Sequence, residues 1–369
     1  MTRPHIFFGV LNWGLGHAAR SIPLIRALRE RGCKVTIGSD GGALMMLREE
    51  FPDADFVDLP SHRVRYARGS ALLLQMLAQL PRLMRTIRSE HDLLQRFMHE
   101  AHVDAIISDN RYGLWSSLAP SVLITHQLRF AGLASLGNRS LHKLIRRFDE
   151  AWISDFEDRE RSLAGKLSHH DVSIATRFIG PLTRLKADRE SAVPFEIIAL
   201  ISGPEPQRSI LEEKLIGQLV ELNKRSLLLR GLPGKGQVST IGNLTMLNHL
   251  STDELSKELS SARYIIARCG YSTIMDLVRL KKHALLIPTP GQPEQLYLAR
   301  YLRQRDWFAV QQQSQLDIER GLKQLDNPIG TFPKPGIASM NVLDEFVQRL
   351  QPRVTSSQIG QYSSAIRSL

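Results

Sequence analysis

The sequence predicts an α/β protein built from two tandem Rossmann-like halves, and three observations carry that expectation. Apolar strand-like runs alternate with amphipathic helical patterns along the chain, the signature of parallel sheets covered by helices. The length of 369 residues is about twice that of an ordinary domain. A polar, proline-bounded stretch, IGPLTRLKADRESAVP at 179–194, separates two series of such runs and reads as a linker.

In the first series HIFFGVL, CKVTIG, a run over 56–59, VDAIIS, SVLIT and a run over 172–175 read as strands, each bounded by polar or turn-forming residues. Helical patterns fall over 18–31, 42–50 and a long stretch over 141–167. In the second series FEIIALIS, SLLLRG, 244–247, RYIIA, HALLIPT and WFAV read as strands. Helices are expected over 209–222, 252–262, from Gly270, over 294–305 and over 315–325. The expected division is 1–180 and 181–338, with a last helix within 339–351 packing back on the first half and a mobile tail over 352–369.

Composition narrows the class. A hydrophobic fraction of 43% with 23% charged residues is that of a soluble globular chain, and no apolar run reaches the roughly 18 residues that would suggest a membrane span. Cys33 and Cys269 are the only cysteines, so neither a disulfide framework nor a cysteine zinc site is expected. With an N-terminus that enters a strand without a leader pattern, a cytoplasmic location is expected. Forty-eight Lys and Arg against 37 Asp and Glu give +11, which suits an anionic partner without choosing among polymer, bilayer and phosphorylated small molecule.

Two segments carry chemistry. In FFGVLNWGLGHAAR, Gly14, Gly16 and Ala19 fit the dinucleotide fingerprint, and Asp40 follows the next strand at about the right distance to meet a ribose. His17 complicates that reading: at the first turn of a helix an imidazole is held neutral and suited to accept a proton. In ARCGYSTIMDLVRLKKHALLIPTPGQPEQ, Gly270 ends a strand and Tyr271, Ser272 and Thr273 open a helix whose free N–H groups and hydroxyls could hold a diphosphate. Asp276 lies one turn on, within reach of a ribose diol, and the rigid PTPGQPEQ loop leads to Glu294 and Gln295. Two strand ends thus face one ligand site.

These two segments resemble the GT-B glycosyltransferases, particularly the branch of the peptidoglycan lipid-intermediate N-acetylglucosaminyltransferase with its family 28 C-terminal domain. The resemblance implies a GT-B fold, two Rossmann-like domains facing a cleft, with the nucleotide sugar on the C-terminal side and the acceptor on the N-terminal side. It places Gly270 to Thr273 against the diphosphate, Asp276 on the ribose, and Glu294 and Gln295 on the donor sugar. Arg268 stands before the glycine as basic residues do in relatives, and His17 matches the histidine that closes the first loop. Asn12, Trp13, Gly14 and Gly16 then line the acceptor side. The second glycine-rich loop is reduced to ISGPEPQRS, where Ser202, Gly203 and Glu205 are the residues left to reach the nucleotide.

Asp109, in SDNRYG after VDAIIS, points from a strand end toward the same cleft and could deprotonate an acceptor or orient His17, or simply cap a turn. His126 belongs to the same rim or packs in the core. The basic, apolar segment over 61–88 suits a core helix with a solvated rim, or a helix lying on an anionic bilayer, which would fit a lipid-linked or cell-envelope acceptor at the inner face of the membrane.

The expected activity is inverting transfer of a hexosyl group from a nucleotide sugar, UDP-linked, with no cofactor. No metal is expected either, since no D-x-D motif falls at the donor site. The competing readings are a UDP-sugar 2-epimerase of the same architecture, an NAD(P)-dependent oxidoreductase resting on Gly14, Gly16, Ala19 and Asp40, and a non-catalytic binder of anionic polymer. No nucleic-acid module is visible.

Overall fold

Seven parallel strands form the N-terminal sheet: β1 (His5–Val10), β2 (Lys34–Ser39), β3 (Asp55–Asp58), β4 (Ala105–Asp109), β5 (Ser121–Thr125), β6 (Glu150–Ile153) and β7 (Ala175–Phe178). Their order, β3-β2-β1-β4-β5-β6-β7, reverses direction between β1 and β4, and that switch point is where a doubly wound sheet opens its crevice. The computed structural model describes residues 3–61, 72–186, 195–203, 205–232, 238–327, 330–333 and 340–350, without the side chains of 72–79, 133, 134 and 136.

Every residue of β1 is buried, because helices cover both faces of the sheet. Phe8 faces the core shared with α1 (Gly16–Glu30) and α2 (Gly41–Glu50), whereas Phe7 faces Leu94 and Leu114 on the side of α3 (Leu72–Glu100). Adjacent strand residues point to opposite faces, so HIFFGVL feeds two cores at once. In α3, Ile87 and Leu94 are buried while Arg82, Arg85 and Arg88 are exposed, an amphipathic face with a basic rim. Residues 62–71 of the basic segment lie outside the described residues, as do 187–194 of the linker and the tail.

Two expectations fail here, the first being the strand expected over 172–175, which begins only at Ala175. The long helix over 141–167 is instead α4 (Asn138–Ile145) followed by β6 and a loop. FDEAWIS is a strand because Ala151, Trp152 and Ile153 fill an interior slot between β5 and β7, and Asp149 and Glu150 find local partners in the Ser121 N–H and Arg349.

The second sheet contains β8 (Ile197–Leu200), β9 (Ser226–Leu229), β10 (Ser239–Ile241), β11 (Leu244–Leu247), β12 (Tyr264–Arg268), β13 (Leu285–Ile287) and β14 (Ala309–Val310). The order β10-β11-β9-β8-β12-β13-β14 repeats the first plan, with β10 added as an antiparallel edge. Its helices are α5 (Gln207–Glu221), α6 (Thr252–Ser261), α7 (Tyr271–Leu280), α8 (Pro293–Gln304) and α9 (Ile318–Leu325). The last helix, α10 (Met340–Leu350), returns to the N-terminal sheet. There Phe346 meets Trp152 edge-on and Asp344 pairs with Arg31. Two Rossmann-like domains meeting along the carboxyl ends of their strands make a GT-B fold.

Candidate active site

The loop after β1 turns at Gly14, whose φ of +77° requires glycine, and delivers His17 to the first turn of α1. Asp109 is the last residue of β4, the strand beside β1. The two side chains therefore meet at the switch point, with His17 Nδ1 2.9 Å from Asp109 Oδ1. Arg20 and Ser21, one turn further along α1, converge on the same carboxylate: Arg20 Nε donates to Oδ2 at 2.8 Å, Arg20 Nη2 to Oδ1, and Ser21 Oγ to Oδ2 at 2.9 Å.

Asp109 is fully buried. Burial alone would raise its pKa, but the charges of Arg20 and His17 and their hydrogen bonds hold it far below the usual carboxylate range. An ionised carboxylate only accepts, so His17 Nδ1 carries its proton toward Asp109 and leaves Nε2 as a free base. Burial, and then the Arg20 charge, lower the pKa of His17 against the pull of Asp109. With 13% of its side chain exposed, the ring still reaches the cleft. Of the two candidate bases, only His17 has an open acceptor atom, because the oxygens of Asp109 already take four donors.

The facing wall comes from the second domain. After β12, Gly270 adopts the extended cap conformation and α7 begins at Tyr271. Ser272 Oγ donates to the carbonyl of Gly16 at 2.9 Å, so the two loops singled out in the sequence touch. Thr273 lies half-buried beside them. Tyr271 is buried, and its hydroxyl donates to Ser154 O at 2.7 Å. Its ring stacks on His126 with centroids 4.0 Å apart and planes at 5°.

His126, buried just past β5, joins the walls. Arg20 Nη1 lies 3.0 Å from His126 Nδ1, and His126 Nε2 lies 3.1 Å from Glu294 Oε1 in the first turn of α8. A guanidinium only donates, so Nδ1 accepts and the ring proton sits on Nε2, facing Glu294. Burial would raise the pKa of Glu294, but His126, with His17 and Arg20, lowers it.

Several residues expected at the ligand have other engagements. Asn12 accepts from Ala43 N and donates to Asp40, both at 3.2 Å, organising the start of α2. Trp13 is 45% exposed at the mouth of the loop. Glu205 accepts from Arg208 Nε at 2.6 Å and Ser209 N at 3.3 Å, which turns it onto α5. Gln295 is buried and accepts from Thr289 N at 2.8 Å, pinning the PTPGQP loop. Asp276 accepts from the Thr183 hydroxyl, beside Arg184, and burial pushes its pKa up to about 6.

Gly203 sits over Thr289 with φ +103°, and Ser202 is half-buried next to it. Arg268, the last residue of β12, is 1% exposed. Its Nη2 donates to Gln207 O at 2.6 Å, and its Nε has no partner among the described residues. Burial alone lowers its pKa to about 10. The carboxylate needed for a dinucleotide ribose is also engaged. Asp40 pairs with Arg111, a fully buried guanidinium that also holds Glu90 at 2.7 Å and the carbonyl of Val10 at 2.7 Å.

Arg20, Thr183 and Arg184 escaped the sequence reading. Arg20 had one signal, its i+3 spacing from His17 on a single helix face. The pair Asp53 and Asp55, which does form a D-x-D run, lies at the opposite end of the sheet and pairs with Arg29 and Lys34.

Known proteins resemble this chain in sequence and in fold. Residues 224–326 match a family model described as glycosyl transferase family 1. An uncharacterized glycosyltransferase of Methanopyrus kandleri is 22% identical over 299 residues, covering 76% of this chain and 84% of that protein. Among solved structures, MurG of Acinetobacter baumannii superposes with a TM-score of 0.54 at 16% identity, over 94% of this chain and all of that one. Arabidopsis thaliana UGT89C1, complexed with quercetin, gives 0.62 at 14%, over 95% of this chain and all of that one. Fold and sequence matches together define an enzyme, a glycosyltransferase of GT-B architecture. Its fold is similar to that of MurG.

Proposed function

We propose that the enzyme transfers a hexosyl group from a nucleotide sugar, UDP-linked, to an acceptor hydroxyl with inversion and without a metal. The observation that carries this reading is the His17–Asp109 pair, facing the start of α7 and Glu294 across the cleft. His17 Nε2 takes the acceptor proton while the acceptor oxygen bonds to the anomeric carbon. The bond from that carbon to the diphosphate breaks, and its electron pair leaves with the diphosphate. Single in-line displacement inverts the centre.

The positive charge that this leaving group needs is supplied by the chain. The free N–H groups of α7 would face it, and Arg268, two residues before the Gly270 cap of α7, carries a buried guanidinium that no carboxylate neutralises among the described residues. An anion near it would compensate a buried cation, which is why we assign the diphosphate there and no cation to bridge it. Glu294, with one oxygen on His126, has the other for donor sugar hydroxyls. Trp13 and Gly14 flank the acceptor entrance, and the exposed arginines of α3 would favour an acceptor carried at an anionic surface.

Thermal stability in the presence of UDP, UDP-sugars, GDP, dTDP and NAD tests the reading. At about 100 times its dissociation constant a ligand adds roughly 2.7 kcal/mol, and UDP or a UDP-sugar is expected to do so with and without EDTA. Stabilisation by NAD and by no nucleoside diphosphate would sink it, and dependence on Mg²⁺ would remove the metal-free step.

A further inference from the structure

Five side chains form one unbroken polar chain between the two domains. From the second domain, Glu294 meets His126 Nε2 at 3.1 Å; His126 Nδ1 meets Arg20 Nη1 at 3.0 Å; Arg20 grips Asp109 through Nε and Nη2; and Asp109 meets His17 Nδ1 at 2.9 Å. Three of the links, Arg20, Asp109 and His126, are at most 4% exposed, so water does not compete for their hydrogen bonds. Each proton in the chain has one allowed place. Arg20 cannot accept and Asp109 is ionised, so the neutral tautomer of His126 and that of His17 are set by the same guanidinium. The ring of His126 is kept in plane by Tyr271, which also belongs to the second domain.

We infer that Arg20 and His126 are positioning residues that set the His17 base only when the nucleotide-sugar domain has closed, with Glu294 as the point where that domain is sensed. The inference rests on His17 acting as the base in the reaction proposed above. Its physical content is that Glu294 and Tyr271 are the only members of the cluster on the second domain. Moving them away leaves His126 Nε2–H without its acceptor and its ring without the stacking partner. Arg20 Nη1 then loses a fixed acceptor, and its fork on Asp109, which orients His17, is less constrained. A base armed by closure would also protect the donor from water in the open cleft.

The chain can be cut in the middle without touching either end. His126→Phe keeps an aromatic ring for Tyr271 but offers neither nitrogen, and Arg20→Lys keeps a charge near Asp109 but cannot bridge to His126. The first readout needs no acceptor: the histidine ¹⁵N spectrum of the whole protein with saturating UDP. In the wild type, His17 should show a protonated Nδ1 and an unprotonated Nε2. In both variants its signals should move toward the average of exchanging tautomers. The second readout is kinetic, with kcat expected to fall roughly tenfold or more in each variant at unchanged KM for the donor.

Combining His126→Phe with Glu294→Leu, which leaves no acceptor at that position, should cost no more in kcat than the larger single effect, since both cut one chain. Unchanged His17 signals with additive kinetic losses would overturn the coupling while leaving transfer by His17 intact. Loss of the reaction reading itself would appear elsewhere, as full activity in His17→Ala. His126→Phe that raises donor KM alone would make His126 a sugar contact and also overturn the inference. Should Arg20→Lys fail to fold, His126→Phe alone decides.

Discussion

Asp109 and His17 stand 92 positions apart in the chain and 2.9 Å apart in the fold, and Arg20 and Ser21 complete the carboxylate that orients the ring. This makes the two halves of the pair unequal. His17→Ala is expected to lower kcat by about 10²- to 10⁴-fold with little change in melting temperature, since the ring lies at the cleft. Asp109→Asn should lower kcat too, but it also leaves the buried Arg20 without its counter-charge, at about 3–5 kcal/mol. Donor turnover and thermal melts of the two variants check this, and two variants of equal stability would contradict the ion-pair account.

Gly16 supplies a second test. A Cβ there would lie 2.8 Å from Ser272 Oγ and 3.1 Å from Ser272 Cβ, so the first loop and the start of α7 must part slightly. Gly16→Ala should therefore weaken activity about tenfold, an effect of some 1.4 kcal/mol, and Gly16→Ala with Ser272→Gly should recover most of it. Steady-state kinetics of the pair decide the point; a double variant as poor as the single one would show that the contact does not set the cleft.

Acid and base have opposite effects on the buried Asp109 and the half-buried Asp276. Asp109 has a folded pKa below its unfolded value, so its contribution to stability is present above about pH 4 and is lost as pH falls further. Asp276 is raised from 3.8 to about 6, so its contribution is fully present below 3.8 and is lost as pH rises through 6. The whole shift corresponds to at most about 3 kcal/mol. Asp276→Asn, which cannot ionise, should match the wild type near pH 4 and melt higher than it by pH 7.5. A difference in melting temperature that does not change between these pH values would refute the assignment.

Much of the architecture was legible in the sequence because its strands are long apolar runs closed by glycine or proline, and HIFFGVL and HALLIPT are buried as such runs should be. The start of β6 carries two acids, which imitated a helix surface, and β10 has all three residues exposed, which leaves no pattern to read. The site was legible as loops, since strand–Gly–helix transitions announce themselves at Gly14 and Gly270. Its wiring was not. Arg20 looks like any solvated arginine of an amphipathic helix until Asp109 is placed beside it, and nothing in the local sequence of His126 announces a partner 168 positions away. Gln295 and Glu205 show the converse: types suited to a ligand, engaged by their own loops.

The return of α10 to the first sheet has a consequence for motion. The polypeptide crosses between the domains twice, after β7 and again before α10, and the second crossing is fastened by Arg31, Arg177 and Glu150 to Asp344, Glu345 and Arg349. A body tethered at one point can swing in any direction, whereas one held at two points turns about the line that joins them. Any swing of the second domain that keeps these fastenings therefore turns about that line, with Tyr271 and Glu294 over His126 at one end of its arc.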